Sequence, residues 1–479
     1  MRSRPLTAVS IALLLCLAGC TVGYQSESAV EQTPDQLDPD RDALGYVDGY
    51  WYDDELDIDP SDGLTDTERE AIVSRAMARV QLLRGAEFDR RVPVELVTRE
   101  EFREQYPRIG ERNVSDAANR LDNVEHEALL LVGPERDVSD VRAGNRGDNV
   151  LGFYSPSQER IVVVSEREPA TFDDELTLAH ELLHALQDQQ FGLESLGEPT
   201  TDETNARNGL IEGEAVLVEQ RYERYCETEE WQCVGDDTGS TGGIGPDFHF
   251  GVYFLGFFPY AEGPSFVEYH EQRHGWETID EMHAAPPTRS SEIVYPATYG
   301  EARGDVTIED RNGSFERIEP SDTTEYASVG QAGVTTMFVY TLYDEYNESV
   351  IVDSSEFFNV DESGDLDDRR PFTYDISYAE GIEHDRLHAY ADDGGTGYVW
   401  RLGWNDRANA TQFADGYNEL LAHWGGDVVA EGDGTVFEIE AGSPFAGAVW
   451  IDVDGTEVTI VGAPTVEELG EVYAPAANA

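Results

Sequence analysis

The stretch Leu176-Thr-Leu-Ala-His180-Glu181-Leu-Leu-His184-Ala-Leu-Gln-Asp188 decides how the chain is read. It contains H-E-x-x-H. Residues four apart on an α-helix stack on one face, so His180 and His184 can point both imidazoles at a single Zn²⁺. Glu181 sits about 100° round the helix from His180 and reaches the same side without binding the metal. There it can take a proton from a water activated by the ion, which makes it the expected general base. The segment is apolar almost all round (Leu176, Leu178, Ala179, Leu182, Leu183, Ala185, Leu186), the mark of a buried helix. Two histidines and a glutamate buried there need partners. The alternative is a pair of satisfied core histidines. Thr171 and Asp174 resemble a capping box at the start, and Gly192 is the expected stop.

Two histidines do not close a catalytic zinc site, which takes three protein ligands. A helical stretch over about 203–225 carries Gly209-Leu-Ile-Glu212-Gly213-Glu214-Ala215. Glu212 and Glu214 are the candidates. Two residues apart on a helix they point about 200° apart, so only one should reach the metal. Ahead of the central helix, Asn149–Tyr154 and Arg160–Val164 flank Ser155-Pro-Ser-Gln-Glu and read as a β-hairpin. Earlier still, 65–84 reads as an amphipathic helix with Ile72, Ala76, Val80 and Leu83 on one face. Arg91–Val97 reads as a strand and Arg99–Gln105 as a short helix.

His180-Glu-Leu-Leu-His184-Ala-Leu-Gln-Asp188 is similar to the active helix of thermolysin-like enzymes. A longer part, over about 180–296, resembles a broad group of zincin-like surface lipoproteins of haloarchaea. The matching pieces are His180–Gln189, Glu212-Gly-Glu-Ala215, Pro259-Tyr260-x-x-Gly263-x-x-Phe266-Val267, Gly275-Trp276 and Pro286-Pro287-x-x-Ser290-Ser291-Glu292. Trp424-Gly-Gly-Asp427 is a weaker echo. The resemblance implies a gluzincin-like metallopeptidase, in which a sheet edge beside the cleft pairs with an extended peptide. It favours Glu212 as third ligand, since gluzincins place a glutamate of a following helix in an E-G-x-A setting. It also implies a Tyr or His that stabilises the oxyanion opposite the zinc. Tyr260 is the first choice, an aromatic core position being its other reading; His249 and His270 are the reserves. The chain departs from the group at Tyr295, where a His often precedes the Pro. It lacks the thermolysin-type E-x-x-x-D, because Val216 stands four residues after Glu212. Asp188 is therefore the candidate to orient His184, with capping of the helix end as its alternative.

Composition bounds the setting. The 479 residues carry 98 acidic against 32 basic side chains, a net charge of -66, and every basic one is Arg. Such an excess repels itself in dilute buffer and is screened by concentrated salt, as in extreme halophiles. It argues against nucleic acid and against electrostatic docking to anionic lipid. Arg2 and Arg4, an apolar run from about Leu6 and then Leu17-Ala-Gly-Cys20 resemble a lipoprotein signal peptide whose Cys20 becomes the lipidated residue. An ordinary cleaved signal is the alternative. Cys226 and Cys233 are not spaced for zinc, and in an exported protein a local disulfide is expected. Sequons begin at Asn113, Asn312, Asn347 and Asn409. Further on, Val329–Tyr343 reads as a buried helix and Ala414–Trp424 as an amphipathic one. Val436–Glu440, Ala448–Asp452 and Glu457–Val461 read as strands.

These readings combine into an α+β chain: a zincin (gluzincin-like) metallopeptidase domain with a mainly helical second half and a small C-terminal β-element. The expected division is a lipoprotein leader over 1–20, an acidic tether over 21–63, the metallopeptidase domain over 64–300 and an α+β region over 301–479. The expected activity is zinc-dependent peptide hydrolysis on the outer face of the cell membrane, with a peptide or protein substrate and only the lipid anchor touching the membrane. Oligomeric state is left open. The rivals are a non-catalytic surface lipoprotein that keeps the zinc helix, and a zinc hydrolase of non-peptide substrates. A free sheet edge beside the zinc discriminates for peptide.

Overall fold

The computed structural model describes residues 43–58, 63–106, 114–146, 150–193, 199–235, 248–302, 304–361, 363–367 and 369–478. The leader, Cys20, the Asn113 sequon and the acidic stretch up to residue 42 lie outside them. Within the expected tether, Tyr46–Val47 (β1) and Tyr50–Trp51 (β2) instead pair as a small antiparallel hairpin. It docks on Asp66–Arg84 (α1): Arg79 Nε donates to the Tyr52 carbonyl at 2.8 Å and Arg75 Nη1 to the Asp54 carbonyl at 3.1 Å.

Helix α1 opens with a capping box between Thr65 and Glu68 and ends at Gly85, which takes the left-handed conformation a C-terminal cap favours. Its periodicity suggests one apolar face, but Ala71–Gln81 is buried throughout. Arg75, Arg79 and Arg84 fill the side that reads as polar. Burying a guanidinium requires a paired carboxylate. Glu175 supplies it for two of them, at 3.0 Å from Arg75 and 2.8 Å from Arg79, and Glu214 pairs with Arg84.

Val94–Thr98 (β3), Gly152–Ser155 (β4) and Arg160–Ser165 (β5) form a three-stranded sheet in the order β3-β5-β4. The β-branched run Ile161–Val164 suits the buried central strand, with β3 parallel and β4 antiparallel to it. Arg99–Gln105 (α2), Asp116–Ala128 (α3) and Val138–Arg146 (α4) come between β3 and β4 in the chain. The sheet is followed by Glu175–Phe191 (α5), the helix of the H-E-x-x-H motif. Asp174 caps it, accepting from Thr177 N at 2.6 Å. Thr171, three residues earlier, is buried outside the helix, so the T-x-x-D pattern overstates its start.

Thr201–Glu227 (α6), Phe250–His274 (α7), Trp276–Ala284 (α8) and Ser290–Val294 (α9) complete a mainly helical region. Helices α6 and α7 cross with backbones almost touching. A Cβ on Gly213 would lie 2.3 Å from the Gly263 carbonyl carbon, and one on Gly263 would lie 2.3 Å from the Gly209 oxygen. Pro259 and Pro264 sit inside α7, so the Leu255 and Tyr260 carbonyls lose their helical partners. Cys226, near the end of α6, is disulfide-bonded to Cys233.

Gly330–Val339 (α10) is buried on every side. The C-terminal part is a seven-stranded antiparallel sheet in the order β6-β7-β8-β12-β11-β10-β9. Its strands are Glu316–Arg317 (β6), Ile382–Ala391 (β7), Thr396–Trp404 (β8), Gly426–Gly432 (β9), Gly434–Ile439 (β10), Gly447–Asp454 (β11) and Glu457–Ala463 (β12). Arg407–His423 (α11) packs on it and Leu469–Val472 (α12) follows. The β-element is larger than its three legible strands because β8, β7 and β6 extend it on one side and β9 on the other. The fold is thus α+β, helical around the motif, with a C-terminal sheet, an arrangement of the zincin type.

Two large apolar clusters meet at α6. Ala215, Val218 and Tyr222 face the one built on α1, β5 and α5. Ala206, Leu210 and Leu217 face the other, which runs from α3 and α7 through α10 into the sheet. That second cluster passes without a break across position 300.

Candidate metal centre

Helix α5 lies buried against β4 and α6, and turns His180, Glu181 and His184 toward the α6 face that carries Glu212. His180 Nε2 and His184 Nε2 are 3.1 Å apart. Glu212 Oε2 lies 3.4 Å from the first and 3.2 Å from the second. Ligand bonds of about 2.0–2.1 Å in tetrahedral geometry place neighbouring donors roughly 3.3 Å apart, so the three atoms are spaced as zinc ligands would be. Glu212 Oε2 is buried and makes no hydrogen bond, a donor atom left for something else. The residues fit the ion.

Electrostatics agree. Burial opposes charge on Glu212, but His184 and His180 outweigh it and hold its carboxyl down at about 2. Burial likewise disfavours a charged His180, yet Glu212 and Glu219 raise it well above its ordinary value. Glu181 differs: burial pushes its carboxyl up, and the two histidines only partly offset this. Both of its oxygens are buried without a hydrogen bond. The Tyr154 N–H on β4 slightly favours its charged form.

Each ligand histidine is held at its other nitrogen. His180 Nδ1 is 2.9 Å from Glu219 Oε2, and His184 Nδ1 is 2.9 Å from Gln187 Oε1. Glu219 stands seven residues after Glu212, two turns along the same face of α6. It takes the place of the missing E-x-x-x-D carboxylate, and helical periodicity applied beyond Val216 would have found it. Asp188 does not orient His184. Its oxygens accept from Tyr154 Oη and Leu193 N, both at 2.8 Å, tying the end of α5 to β4.

Glu214 is no ligand. It faces the opposite side of α6 and is met by Arg84, by His283 Nε2 at 2.7 Å and by Gln187 Nε2 at 3.1 Å. Tyr260 reaches the site, its ring 6.4 Å from that of His180 and inclined 16° to it. The reserves do not. His249 caps α7 and holds the Leu131 carbonyl at 3.0 Å, and burial lowers its pKa to about 4. His270 faces the Pro296 carbonyl at 3.1 Å. Asp122, Glu125 and His126 also converge, but Arg142 pairs with Asp122 and contacts His126, and Thr201 holds Glu125 at 2.5 Å. That group is already satisfied.

A family model described as a domain of unknown function, DUF8575, matches residues 316–473. The match takes in the C-terminal sheet and leaves out α5 and α6. No curated protein and no solved structure matches the chain. The H-E-x-x-H helix joined by Glu212 is a metal-binding, hydrolytic centre.

Proposed function

We propose that the protein is a zinc-dependent peptidase held to the outer face of the cell membrane by a lipid on Cys20. The observation that carries the catalytic part is Glu181, a buried carboxylate with both oxygens unpaired beside three converging ligand atoms. Leaving a buried acceptor unsatisfied costs about 1–3 kcal/mol, more for a charge. A purely structural metal site has no use for such a group.

Zinc, bound by His180, His184 and Glu212, would supply Lewis acidity toward a carbonyl and toward water. Glu181 takes the proton from the attacking water and delivers it to the leaving amine nitrogen. Tyr260 is assigned to hydrogen-bond the oxyanion from the side of α7.

Peptide as the substrate class is supported by β4. It is an edge strand of its sheet, so its outer backbone groups have no strand partner among the described residues. It also lies against Glu181: a Cβ on Gly152 would sit 3.4 Å from Glu181 Cγ. An extended chain that pairs with β4 passes over the site. Surface location rests on the leader and Cys20, with no helix among the described residues long and apolar enough to cross a membrane.

The test compares wild type, His184→Ala and Glu181→Gln in molar KCl, first for zinc content and then against a peptide library. Wild type and Glu181→Gln should both hold zinc, His184→Ala should lose it, and only wild type should cleave. A folded wild type without zinc would return the motif to core packing. Turnover by Glu181→Gln would remove the general base. Separately, Cys20→Ser should release the chain into the medium.

A further inference from the structure

Gln187 and Glu214 take no part in the reaction above, yet both are buried and joined to the site by consecutive hydrogen bonds. The Gln187 oxygen lies 2.9 Å from His184 Nδ1. Its nitrogen donates to the Ile211 carbonyl at 3.0 Å and to Glu214 Oε2 at 3.1 Å. A side-chain amide has an acceptor at one end and donors at the other, in nearly the same shape. Here two acceptors surround one end. That end must be the NH₂, so the oxygen faces the imidazole. An oxygen can only accept, so His184 Nδ1 carries the ring proton. Nε2 then keeps its lone pair, and it is Nε2 that points at His180 and Glu212.

Glu214 decides this orientation together with the Ile211 carbonyl, because neither a carboxylate nor a peptide carbonyl has a hydrogen to offer. Arg84 holds the carboxylate ionised through a buried salt bridge, and His283 approaches the same oxygen that receives Gln187. Arg84 is itself fixed by Asp280 at 2.5 Å and by the Trp276 ring, 4.5 Å from its guanidinium carbon. His180 needs no such device: its partner Glu219 accepts at either oxygen.

We propose that Gln187 is the positioning residue for His184, and that Glu214, held by Arg84, together with the Ile211 carbonyl sets which end of the Gln187 amide meets the ring. The inference rests on His180, His184 and Glu212 being the zinc ligands. It gives a role in metal binding to Glu214 and Arg84, neither of which touches the metal position.

The test measures zinc affinity by competition with a chromogenic chelator, and the visible spectrum of the Co²⁺ form, on the full chain in molar KCl. Gln187→Met fills a similar volume, removes the acceptor and leaves the Arg84–Glu214 pair in place. It should weaken zinc binding by about 10- to 100-fold and shift the Co²⁺ bands. Glu214→Gln can offer a donor to Gln187 and leaves only the Ile211 carbonyl to hold the amide, so the wrong tautomer of His184 gains ground; a measurable loss, smaller than that of Gln187→Met, is expected. The double variant should bind no worse than Gln187→Met, because the two act through one contact. Unchanged affinity in Gln187→Met, or losses that add in the double variant, would overturn the relay. Should Glu214→Gln fail to fold with Arg84 unpaired, Gln187→Met decides alone. A wild type that binds no zinc defeats the ligand reading itself, an outcome distinct from wild type and variants binding alike.

Discussion

Three glutamates on one helix meet three different fates, and direction decides each. Glu212 points into the ligand triangle, Glu214 points to the other side at Arg84, and Glu219, two turns on, returns to His180 Nδ1. Their substitutions should separate by kind. Glu212→Ala removes a ligand and should cost more zinc affinity than any other change on α6. Glu219→Ala should cost about 10- to 100-fold, the usual effect of losing a carboxylate behind a ligand histidine. Chelator competition ranks the two, and the reverse order would move the third ligand to Glu219. Tyr260 calls for a different readout. If its hydroxyl meets the oxyanion only in the transition state, Tyr260→Phe should lower kcat by about 10²–10³ with KM nearly unchanged. A rise in KM at constant kcat would make it a wall of the substrate site instead.

The elements place these side chains, and the closest tolerance is the crossing of α6 and α7. Gly213 and Gly263 let the helices approach until a Cβ on Gly213 would meet the Gly263 carbonyl carbon at 2.3 Å, and Tyr260 stands three residues before that contact. Gly213→Ala must push α7 away. Overpacking of this kind costs about 1–3 kcal/mol, and the shift should also cut turnover by displacing Tyr260 from His180. Gly256, on the same helix, has nothing within 4 Å of its would-be Cβ. Gly256→Ala should therefore stabilise by about 0.5–1 kcal/mol through helix propensity alone. Equal effects in denaturant melts would mean the crossing is not tight. The same elements show what could be read from the chain. Helix α5 was legible because H-E-x-x-H carries its own geometry in the four-residue spacing. Helix α1 was legible in its bounds but not in its burial, since Arg75, Arg79 and Arg84 look like a solvated face until Glu175 and Glu214, distant in sequence, close on them. Helix α7 hid behind Pro259 and Pro264, and strands β7 and β8 behind the polar residues of 382–404. Glu219 was readable by period and Gln187 by neither period nor type, because only the fold brings Ile211 and Glu214 to its nitrogen.

At the scale of the whole molecule, charge governs. A net charge of -66 repels itself, so melting temperature should climb steeply as KCl rises toward molar concentrations, where screening reaches about 3 Å. Inside, two acids act in the opposite way to paired carboxylates such as Glu212. Burial, helped by Asp122, raises Glu125 from 4.5 to about 8, and burial, helped by Asp385, raises Asp202 to about 7. Between the unfolded and folded values the native state holds a proton that the unfolded chain has released. The slope of stability against pH is then negative. Glu125 thus subtracts stability as pH rises from about 4.5 to about 8, Asp202 as it rises from about 3.8 to about 7, and neither adds slope above its window. Glu125→Gln keeps an acceptor for Thr201, whose hydroxyl lies 2.5 Å from Glu125 Oε1, and removes the ionisation. Melted in fixed molar KCl, variant and wild type should coincide near pH 4.5 and separate steadily toward pH 8, the variant being the more stable. Parallel curves would show that Glu125 is ionised in the fold at every pH, paired with Arg142 rather than neutral against Thr201. Asp202→Asn is the independent check: its separation from wild type should open above about pH 3.8 and level off by about pH 7, a unit earlier than for Glu125, because the folded carboxyl releases its proton sooner.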